Sequence, residues 1–271
     1  MKDTHAADDP LLATRAQVNP YLRALSLISH QLAWDLRPAA WSSRRRLKAL
    51  RDTKTGKAVI LCNGPSLNKV DFDHLAGRAF TFGLNKINLL FDRTPFRPDA
   101  IVAVNELVLE QNSAFFEDTD IPLFLDSAAC LDGLVSPAPR RYFLRSADIP
   151  KFARDCSMAV HQGATVTYVA LQLAFHMGFR EVALVGADHS FAAKGPANKA
   201  VRAGATDVDH FDPNYFARGV QWQLPDLFES EVSYMRARNM YEAAGRRIVN
   251  CTEGGKLEIF ERQPLAQFLD P

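Results

Sequence analysis

The sequence predicts an α/β fold, a mostly parallel sheet with helices on both faces, and three observations indicate it. The chain has 271 residues, 47% of them hydrophobic and 23% charged, which is enough for one large core and excludes a disordered chain. After Gly56, short apolar runs alternate with segments of helical period, as in strands joined by crossover helices. The segment from Gly163 to Met177 is the clearest core helix, and Gly178 closes it.

Residues 1–55 are predicted to form an N-terminal extension outside that sheet. Residues 1 to about 18 have mixed charge and no period, so we expect a mobile tail. Apolar residues recur at helical spacing between Pro20 and Leu36, which predicts an amphipathic helix. From Arg37 to Lys57 the only acidic residue is Asp52, and we interpret this basic run as a solvated connector helix in preference to a membrane-binding one.

Residues 56–271 are predicted to form one catalytic domain. Seven strands are predicted in it, at Ala58 to Cys62, Ala79 to Leu84, Ala100 to Val104, Pro122 to Leu125, Arg141 to Leu144, Glu181 to Val185 and Arg247 to Asn250. A second long helical pattern runs from Ser230 to Gly245. The segment 191–225 shows neither a helical nor a strand period. It is longer than an ordinary loop between two elements, so we expect a lid over a site.

The composition argues against several classes of function. Thirty-two Lys and Arg against 31 Asp and Glu leave a net charge of +1, which argues against a nucleic-acid-binding protein. The four cysteines include no C-x-x-C pair, so we predict no zinc ribbon or disulfide scaffold and expect a cytoplasmic location. The start is unlike a secretory signal, and no stretch approaches the roughly 18 apolar residues of a membrane span. We expect a soluble protein, or one held peripherally at the inner face of a membrane.

Polar residues come directly after the predicted strands, at the edge where an α/β sheet binds ligands. The first strand ends in Asn63-Gly64-Pro65-Ser66, the second in Asn85, the third in Asn105 and the sixth in Gly186-Ala187-Asp188-His189. Asparagine offers a donor and an acceptor without charge, which suits an anionic, sugar-like ligand. His189 is interpreted as satisfying a local hydrogen bond in preference to acting in catalysis or binding a metal.

The first of these loops matches neither a Walker loop nor G-x-G-x-x-G, so it supports neither a P-loop nucleotidase nor a dinucleotide dehydrogenase. Gly64 lets the backbone approach a ligand, Pro65 fixes the turn, and Ser66 adds a hydroxyl beside free amides, which would suit one phosphate. The same tetrapeptide would serve equally well as a strand-to-helix turn that Ser66 caps. Both interpretations stay open.

Several short motifs, taken in this order, resemble a known group. The segment GKAVILCNGPSL from Gly56, followed by FGLN from Phe82, resembles the opening of the bacterial sialyltransferases of glycosyltransferase family 42. It also resembles the wider domain of unknown function 115 group, which includes 6-hydroxymethylpterin diphosphokinases and transferases that attach nonulosonic acids to flagellin. Further matches are GATV from Gly163, LVGAD from Leu184 and VNCTEGGKL from Val249.

This resemblance implies a Rossmann-like fold with a lid, a CMP-activated sialic acid as donor, and no metal. It assigns the donor nucleotide and phosphate to Asn63, Gly64, Pro65, Ser66, Asn85, Gly186 and Asp188, and the donor sugar to Asn105, Gly163 and Thr165. The family's general base is a lid histidine, which here is His210, since a histidine of pKa about 6.5 can take a hydroxyl proton at neutral pH. The family places two tyrosines on the leaving phosphate, whereas this lid offers only Tyr215, whose hydroxyl is the catalytic candidate for stabilising that phosphate together with the amides around Gly64.

Three functions result as hypotheses. The first is an inverting glycosyltransferase that moves a nonulosonic sugar from a CMP donor to a surface glycan or lipid-linked glycan, without a cofactor. The alternative is a 6-hydroxymethylpterin diphosphokinase-like transfer from Mg-ATP, with Asp188, Asp207, Asp209 and Asp212 as candidate Mg²⁺ ligands; the uncharged first loop argues against it. The third is a glycan-binding protein without catalysis.

Overall fold

The structure, a computed structural model, describes residues 19–192, 195–216 and 219–270, so the predicted tail over residues 1–18 lies outside the described residues. The strands are β1 Lys57–Leu61, β2 Phe80–Leu84, β3 Ala100–Ala103, β4 Leu123–Asp126, β5 Arg141–Leu144, β6 Glu181–Val185, β7 Ala200–Arg202, β8 Gln221–Gln223, β9 Arg247–Asn250 and β10 Glu261–Arg262. All seven predicted strands are confirmed. The strands that the sequence patterns did not predict are short, and two of them lie inside the lid.

Eight strands form one parallel sheet in the order β10-β9-β6-β1-β2-β3-β4-β5, while β7 and β8 pair as a separate antiparallel hairpin. From β1 the chain fills one half of the sheet through β5 and then crosses to β6 on the other side of β1. Ala58 pairs with Phe80 on one side and Val182 on the other. The predicted Rossmann-like arrangement is therefore confirmed.

The helices are α1 Pro20–Asp35, α2 Pro38–Leu50, α3 Phe72–Leu75, α4 Glu106–Gln111, α5 Ser113–Asp118, α6 Ala128–Leu131, α7 Val166–Met177, α8 Leu227–Ala243 and α9 Leu265–Leu269. Short 3-10 turns follow β1 at Pro65–Lys69 and β2 at Ile87–Leu90. The predicted core helix begins at Val166 and not at Gly163, because Gly163 and Ala164 have φ of +57° and +59°. Thr165 then caps the helix by accepting a hydrogen bond from the Thr167 amide.

Side chains of the central strands alternate between two cores. Ala58 and Ile60 of β1 belong to the core under α2, α7 and α8, whereas Val59 and Leu61 belong to the core under α3 to α6 and α9. Both faces of the sheet are therefore covered, as a parallel sheet requires.

Helix α2 packs on the same body as the sheet. Its Leu47 is buried in the first core, and the backbone carbonyl of Leu47 accepts a hydrogen bond from His176 Nε2 of α7 at 2.8 Å. Ser43 accepts a hydrogen bond from the Phe143 amide of β5. The domain boundary at residues 55 and 56 stays a prediction, although α2 contributes directly to the core of the predicted catalytic domain.

Helix α1 presents an apolar row to solvent. The exposed fractions of its large apolar residues range from 52% to 83%, and these residues are Tyr21, Leu22, Leu25, Ile28 and Leu32, with Leu36 just beyond the helix. Trp34 faces the other way and packs edge-on against Phe143 with ring centroids 6.0 Å apart. Among the described residues no helix is long and apolar enough to cross a membrane.

Gly178 offers a test of the close packing at the end of α7. Its φ is +106°, and a Cβ there would lie 2.5 Å from the Lys54 carbonyl oxygen, whereas Gly77 has φ +74° with no atom within 4 Å of such a Cβ. We expect Gly77→Ala to cost about 1 to 2 kcal/mol of unfolding free energy from backbone strain alone. Gly178→Ala should cost a further amount of about 1 to 3 kcal/mol from overpacking, measured by urea unfolding. Equal losses in the two variants would contradict this packing.

Candidate active site

A cleft of about 320 Å³ lies at the carboxyl ends of β1, β2, β3 and β6, with the β7–β8 hairpin and its flanking loops over it. It sits beside the boundary between β1 and β6, where the order of the strands reverses. In an open parallel sheet the loops diverge at such a boundary and leave a crevice. The cleft lies at the strand ends where the sequence predicts a ligand, and its use as a binding site stays a prediction.

The three asparagines predicted at this edge all line the cleft. Asn105 caps α4 by accepting a hydrogen bond from the Val108 amide, and its Nδ2 donates to Gln223 of the lid at 3.3 Å. The Oδ1 atoms of Asn63 and Asn85 are buried and accept no hydrogen bond from the described residues, but the Asn85 side chain lies next to the buried Tyr215 hydroxyl. Because buried acceptors without partners are costly, the Asn63 oxygen favours a ligand with a donor group in the cleft.

The first loop holds a carboxylate of the protein itself. Asp188 Oδ2 accepts hydrogen bonds from the Ser66 hydroxyl at 2.6 Å and from the Ser66 amide at 3.2 Å. A Cβ on Gly64 would lie 2.0 Å from the same oxygen, so only glycine allows this contact. Gly64 lines the cleft, but Pro65 and Ser66 do not. The donors predicted to hold a phosphate at Ser66 are therefore engaged by Asp188, which belongs to the neighbouring strand.

Of the other residues predicted for the donor, some line the cleft and one does not. Thr165 lines the cleft, and its hydroxyl lies 3.3 Å from the Tyr234 hydroxyl. Gly163 does not line the cleft, because a Cβ there would lie 2.4 Å from Ser233 Oγ of α8 and 2.5 Å from Tyr168 Cδ1. The structure thus gives Gly163 a packing position between α7 and α8. Gly186, predicted for the nucleotide, does line the cleft.

His210 lines the cleft from the lid and is paired with a carboxylate. Its Nδ1 lies 2.8 Å from Asp207 Oδ2, which also accepts a hydrogen bond from the Phe216 amide. The pKa of Asp207 is lowered overall. Burial acts to raise it, but the hydrogen bond and the charge of His210, together with the hydrogen bonds from the Asp209 and Phe216 amides, outweigh that effect. An ionised carboxylate only accepts hydrogen bonds, so Nδ1 carries a proton, and in the neutral ring Nε2 is then the acceptor.

Tyr215 supports the His210 ring and does not line the cleft. The two rings are parallel, with centroids 4.1 Å apart. Tyr215 is buried in the second core with its hydroxyl next to the Asn85 side chain, and burial raises its pKa above the usual range. The structure therefore corrects its expected place: packing draws the ring beneath His210, away from a leaving group in the cleft.

Aromatic side chains surround His210 on its open side. Phe191, Phe216 and Trp222 all line the cleft, with ring centroids 6.1, 5.2 and 6.2 Å from that of His210. Phe216 and Trp222 stack on each other at 5.4 Å. Such faces can stack on a base or on the apolar face of a sugar.

Two functional positions escaped the sequence patterns. Asp207 was considered only as a metal ligand, although its i, i+3 spacing to His210 in a loop could have indicated the pair. Gln162 lines the cleft, and its Nε2 donates to Ser146 Oγ at 2.8 Å and to the buried Asp126 at 3.3 Å. No pattern signals Gln162, because its partners come from the ends of β4 and β5.

Lys86 fastens the lid to the sheet. It is buried directly after β2, and its Nζ donates to the Tyr215 carbonyl at 2.9 Å and to Gln111 Oε1 at 2.7 Å. The same nitrogen lies 4.7 Å from the centroid of the Phe216 ring, which is a cation–π contact. Burial lowers the pKa of Lys86 to about 8, while the charge of Asp207 acts in the opposite direction.

The charged groups of the cleft are mostly acidic. Among the described residues that line it there is no lysine or arginine, whereas Asp188, Asp209 and Asp226 do line it.

No group of three His, Cys, Asp or Glu within residues 19–192, 195–216 and 219–270 is placed to hold a metal ion. Each of the four candidate Mg²⁺ ligands already accepts a hydrogen bond from the protein. The donors are Ser66 for Asp188, His210 for Asp207, the Ala192 amide for Asp209 and the Asn214 amide for Asp212.

A protein-family model matches this chain over much of its length. Residues 39–194, more than half of the chain, match the model described as 6-hydroxymethylpterin diphosphokinase MptE-like. The chain belongs to the MptE-like family. The resemblance predicted from the short motifs is thereby confirmed. A search of curated proteins found no match.

Among solved structures, the chain is similar to the MAf glycosyltransferase from Magnetospirillum magneticum AMB-1. The TM-score is 0.51 and the identity is 16%, over 96% of this chain and 43% of that one. The chain thus spans less than half the length of that protein. At this identity the likeness concerns the fold, and it agrees with the MptE-like assignment.

Lys86 provides a test of how the lid is held. Because its pKa is lowered to about 8, a folded chain releases this proton at a lower pH than an unfolded chain, whose lysine has a pKa of about 10.4. The contribution of Lys86 to the free energy of unfolding should therefore rise between pH 8 and about 10.4. Urea unfolding of wild type and Lys86→Met at pH 7 and pH 9.5 measures it, with the exposed Lys69→Met as control. A wild-type advantage that shrinks with pH would contradict the buried position of Lys86.

Proposed function

We propose that the protein transfers a sugar from a nucleotide-activated donor to an acceptor hydroxyl, with His210 as general base. The single observation that carries this proposal is the His210–Asp207 pair in the cleft, at 2.8 Å, with Nε2 left as an acceptor. A carboxylate that fixes the ring and its tautomer is what a histidine base requires. The stacked ring of Tyr215 adds a second constraint on the same imidazole.

The proposed reaction is a single inverting displacement. The acceptor hydroxyl gives its proton to His210 Nε2, and its oxygen attacks the anomeric carbon of the donor. The bond from that carbon to the phosphate oxygen breaks, and its electron pair leaves with the nucleoside monophosphate. Because attack and departure occur on opposite faces of the sugar, the configuration inverts.

We propose a CMP-activated nonulosonic acid as donor and a glycan or lipid-linked glycan as acceptor. The resemblance to glycosyltransferase family 42 and the likeness of fold to a glycosyltransferase support the class of reaction. The unpartnered amide oxygen of Asn63 suits a donor group of a base or sugar, and the aromatic faces suit stacking. No metal takes part in this proposed step, and the location is proposed to be cytoplasmic.

A second candidate is pyrophosphoryl transfer from Mg-ATP, and the description of the matching family favours it. It would require Asp188 and Asp209 in the cleft to turn toward a metal, because both now accept hydrogen bonds from the protein. A third is glycan binding without catalysis, for which the Phe216–Trp222 stack is suited.

Ligand binding and transfer together test these functions. A native-state ligand raises the melting temperature, so we expect CMP to do so more than UDP or ATP with Mg²⁺. With a CMP-nonulosonic donor, His210→Ala should lower kcat by about 100- to 10,000-fold while CMP still binds. The matched control is His74→Ala, a histidine of α3 that does not line the cleft, with unchanged kcat expected.

Three results would each reject the first function. Unchanged turnover in His210→Ala would remove the base. A melting-temperature rise with ATP and Mg²⁺ but not with CMP would favour the second candidate. Glycan binding without turnover of any sugar nucleotide would favour the third.

We also propose a peripheral contact between α1, α2 and an anionic membrane surface. Helix α2, which follows α1 after two residues, exposes Trp41, Arg45 and Lys48. The single acidic residue of the two helices, Asp35, is already paired with Arg44. Apolar side chains next to unpaired basic ones match the chemistry of an anionic bilayer.

Vesicle sedimentation tests this contact. We expect the protein to bind vesicles of phosphatidylcholine mixed with phosphatidylglycerol more than vesicles of phosphatidylcholine alone, and less at high salt. Ile28→Glu should abolish binding, because it places a charge in the apolar row, whereas Met235→Glu, at an exposed site of α8, should not. Wild-type dimers that Ile28→Glu dissociates, without vesicle binding, would instead show that a second copy covers this face.

A further inference from the structure

The cleft contains a second histidine–carboxylate pair, and we propose that His189 and Glu231 bind the phosphate of the donor nucleotide. This inference rests on the proposed function. In this arrangement His210 takes the proton of the acceptor, and His189 donates a hydrogen bond to the leaving group.

The pair is formed between β6 and α8. His189 lies just after β6, lines the cleft, and places Nε2 2.9 Å from Glu231 Oε1 of α8. A carboxylate accepts only, so Nε2–H donates to Glu231. Nδ1 makes no hydrogen bond with any described residue, and in the protonated ring it is a donor. The Tyr234 ring, with its centroid 6.1 Å away, packs beside the imidazole.

The backbone holds His189 in an uncommon conformation. Its φ is +51°, in the left-handed region that only a few per cent of non-glycine residues adopt. The preceding residue is fixed from two sides, because the Asp188 carboxylate binds Ser66 and its carbonyl accepts a hydrogen bond from the Lys256 amide at 2.8 Å. Asn85 and Ala164, which also line the cleft, have positive φ as well. Strained positions that surrounding contacts enforce are concentrated at functional sites.

The charges of the cleft give His189 its role. The carboxylates of Asp188, Asp209 and Asp226 line the cleft, and no lysine or arginine does so among the described residues. A phosphate entering it would meet negative charge alone unless a histidine carried a proton. His210 takes a proton in the proposed reaction, so His189 is the other described lining residue whose protonated ring could donate to a phosphate.

The proposed hydrogen bond from His189 to the phosphate strengthens as the leaving group departs. As the bond between the anomeric carbon and the phosphate oxygen breaks, the electron pair moves onto the phosphate. The His189 Nδ1–H then donates a stronger hydrogen bond to that oxygen than it did in the bound donor. The acceptor proton is on His210 Nε2, so no further proton has to be supplied.

Calorimetric titration with cytidine and with CMP isolates this contact, because the two probes differ by the phosphate. In the wild type we expect CMP to bind more tightly than cytidine. His189→Gln should weaken CMP binding by about tenfold or more and leave cytidine binding unchanged, since a charge-assisted hydrogen bond to the phosphate is lost. Glu231→Gln, at a half-exposed site, should weaken CMP in the same direction by less. The matched control is His161→Gln, a half-buried histidine outside the cleft lining, with no effect on either ligand.

The outcomes distinguish a failure of this inference from a failure of the proposed function on which it rests. If the wild type binds CMP and both His189→Gln and Glu231→Gln keep the full preference for CMP over cytidine, the inference is wrong and the proposed donor stands. If the wild type does not bind CMP, the proposed donor is wrong and the inference falls with it. Should His189→Gln fail to fold, a Glu231→Gln variant that loses the preference for CMP supports the pair, and one that keeps it rejects the pair.

Discussion

The parallel pairing of β1 with β6 is the constraint on which the rest of the molecule depends. These strands are neighbours in space although more than a hundred residues separate them along the chain, and their carboxyl ends open toward the same cleft. The pairing brings Gly64 of the first loop against Asp188 of the sixth, with room for no side chain between them. It also places His189 next to that contact. One strand pair thus sets the floor of the cleft and the position of one of its carboxylates, Asp188.

The lid is held to this edge mostly by hydrogen bonds that involve its backbone. The Phe211 amide donates to the Asn63 carbonyl, Asn68 donates to the Phe211 carbonyl, and Lys86 donates to the Tyr215 carbonyl. Phe211 and Tyr215 fill the second core, so the segment between them is packed on the sheet. His210 therefore projects from a packed support, which is the arrangement that a positioned base requires.

Acidic and neutral groups dominate the cleft, and the two histidines differ in the carboxylates they pair with. Asp207 is nearly buried and is bound by backbone amides as well as by His210, whereas Glu231 lies half-exposed on a helix. Both imidazoles are largely buried, so the two pairs differ mainly in the exposure of the carboxylate.

The sequence by itself determined the strands and the core helix, because these depend on local period, and the residue types next to the strand ends indicated Asn63, Asn85 and Asn105. His210 came only from the resemblance to a family whose general base is a lid histidine. Only the tertiary structure decided that Asp188 engages Ser66, that Tyr215 packs beneath His210 and that Gly163 serves packing. These contacts join residues from separate strands, helices and loops, and the register that brings them together is set by packing of the whole sheet, which no short motif encodes.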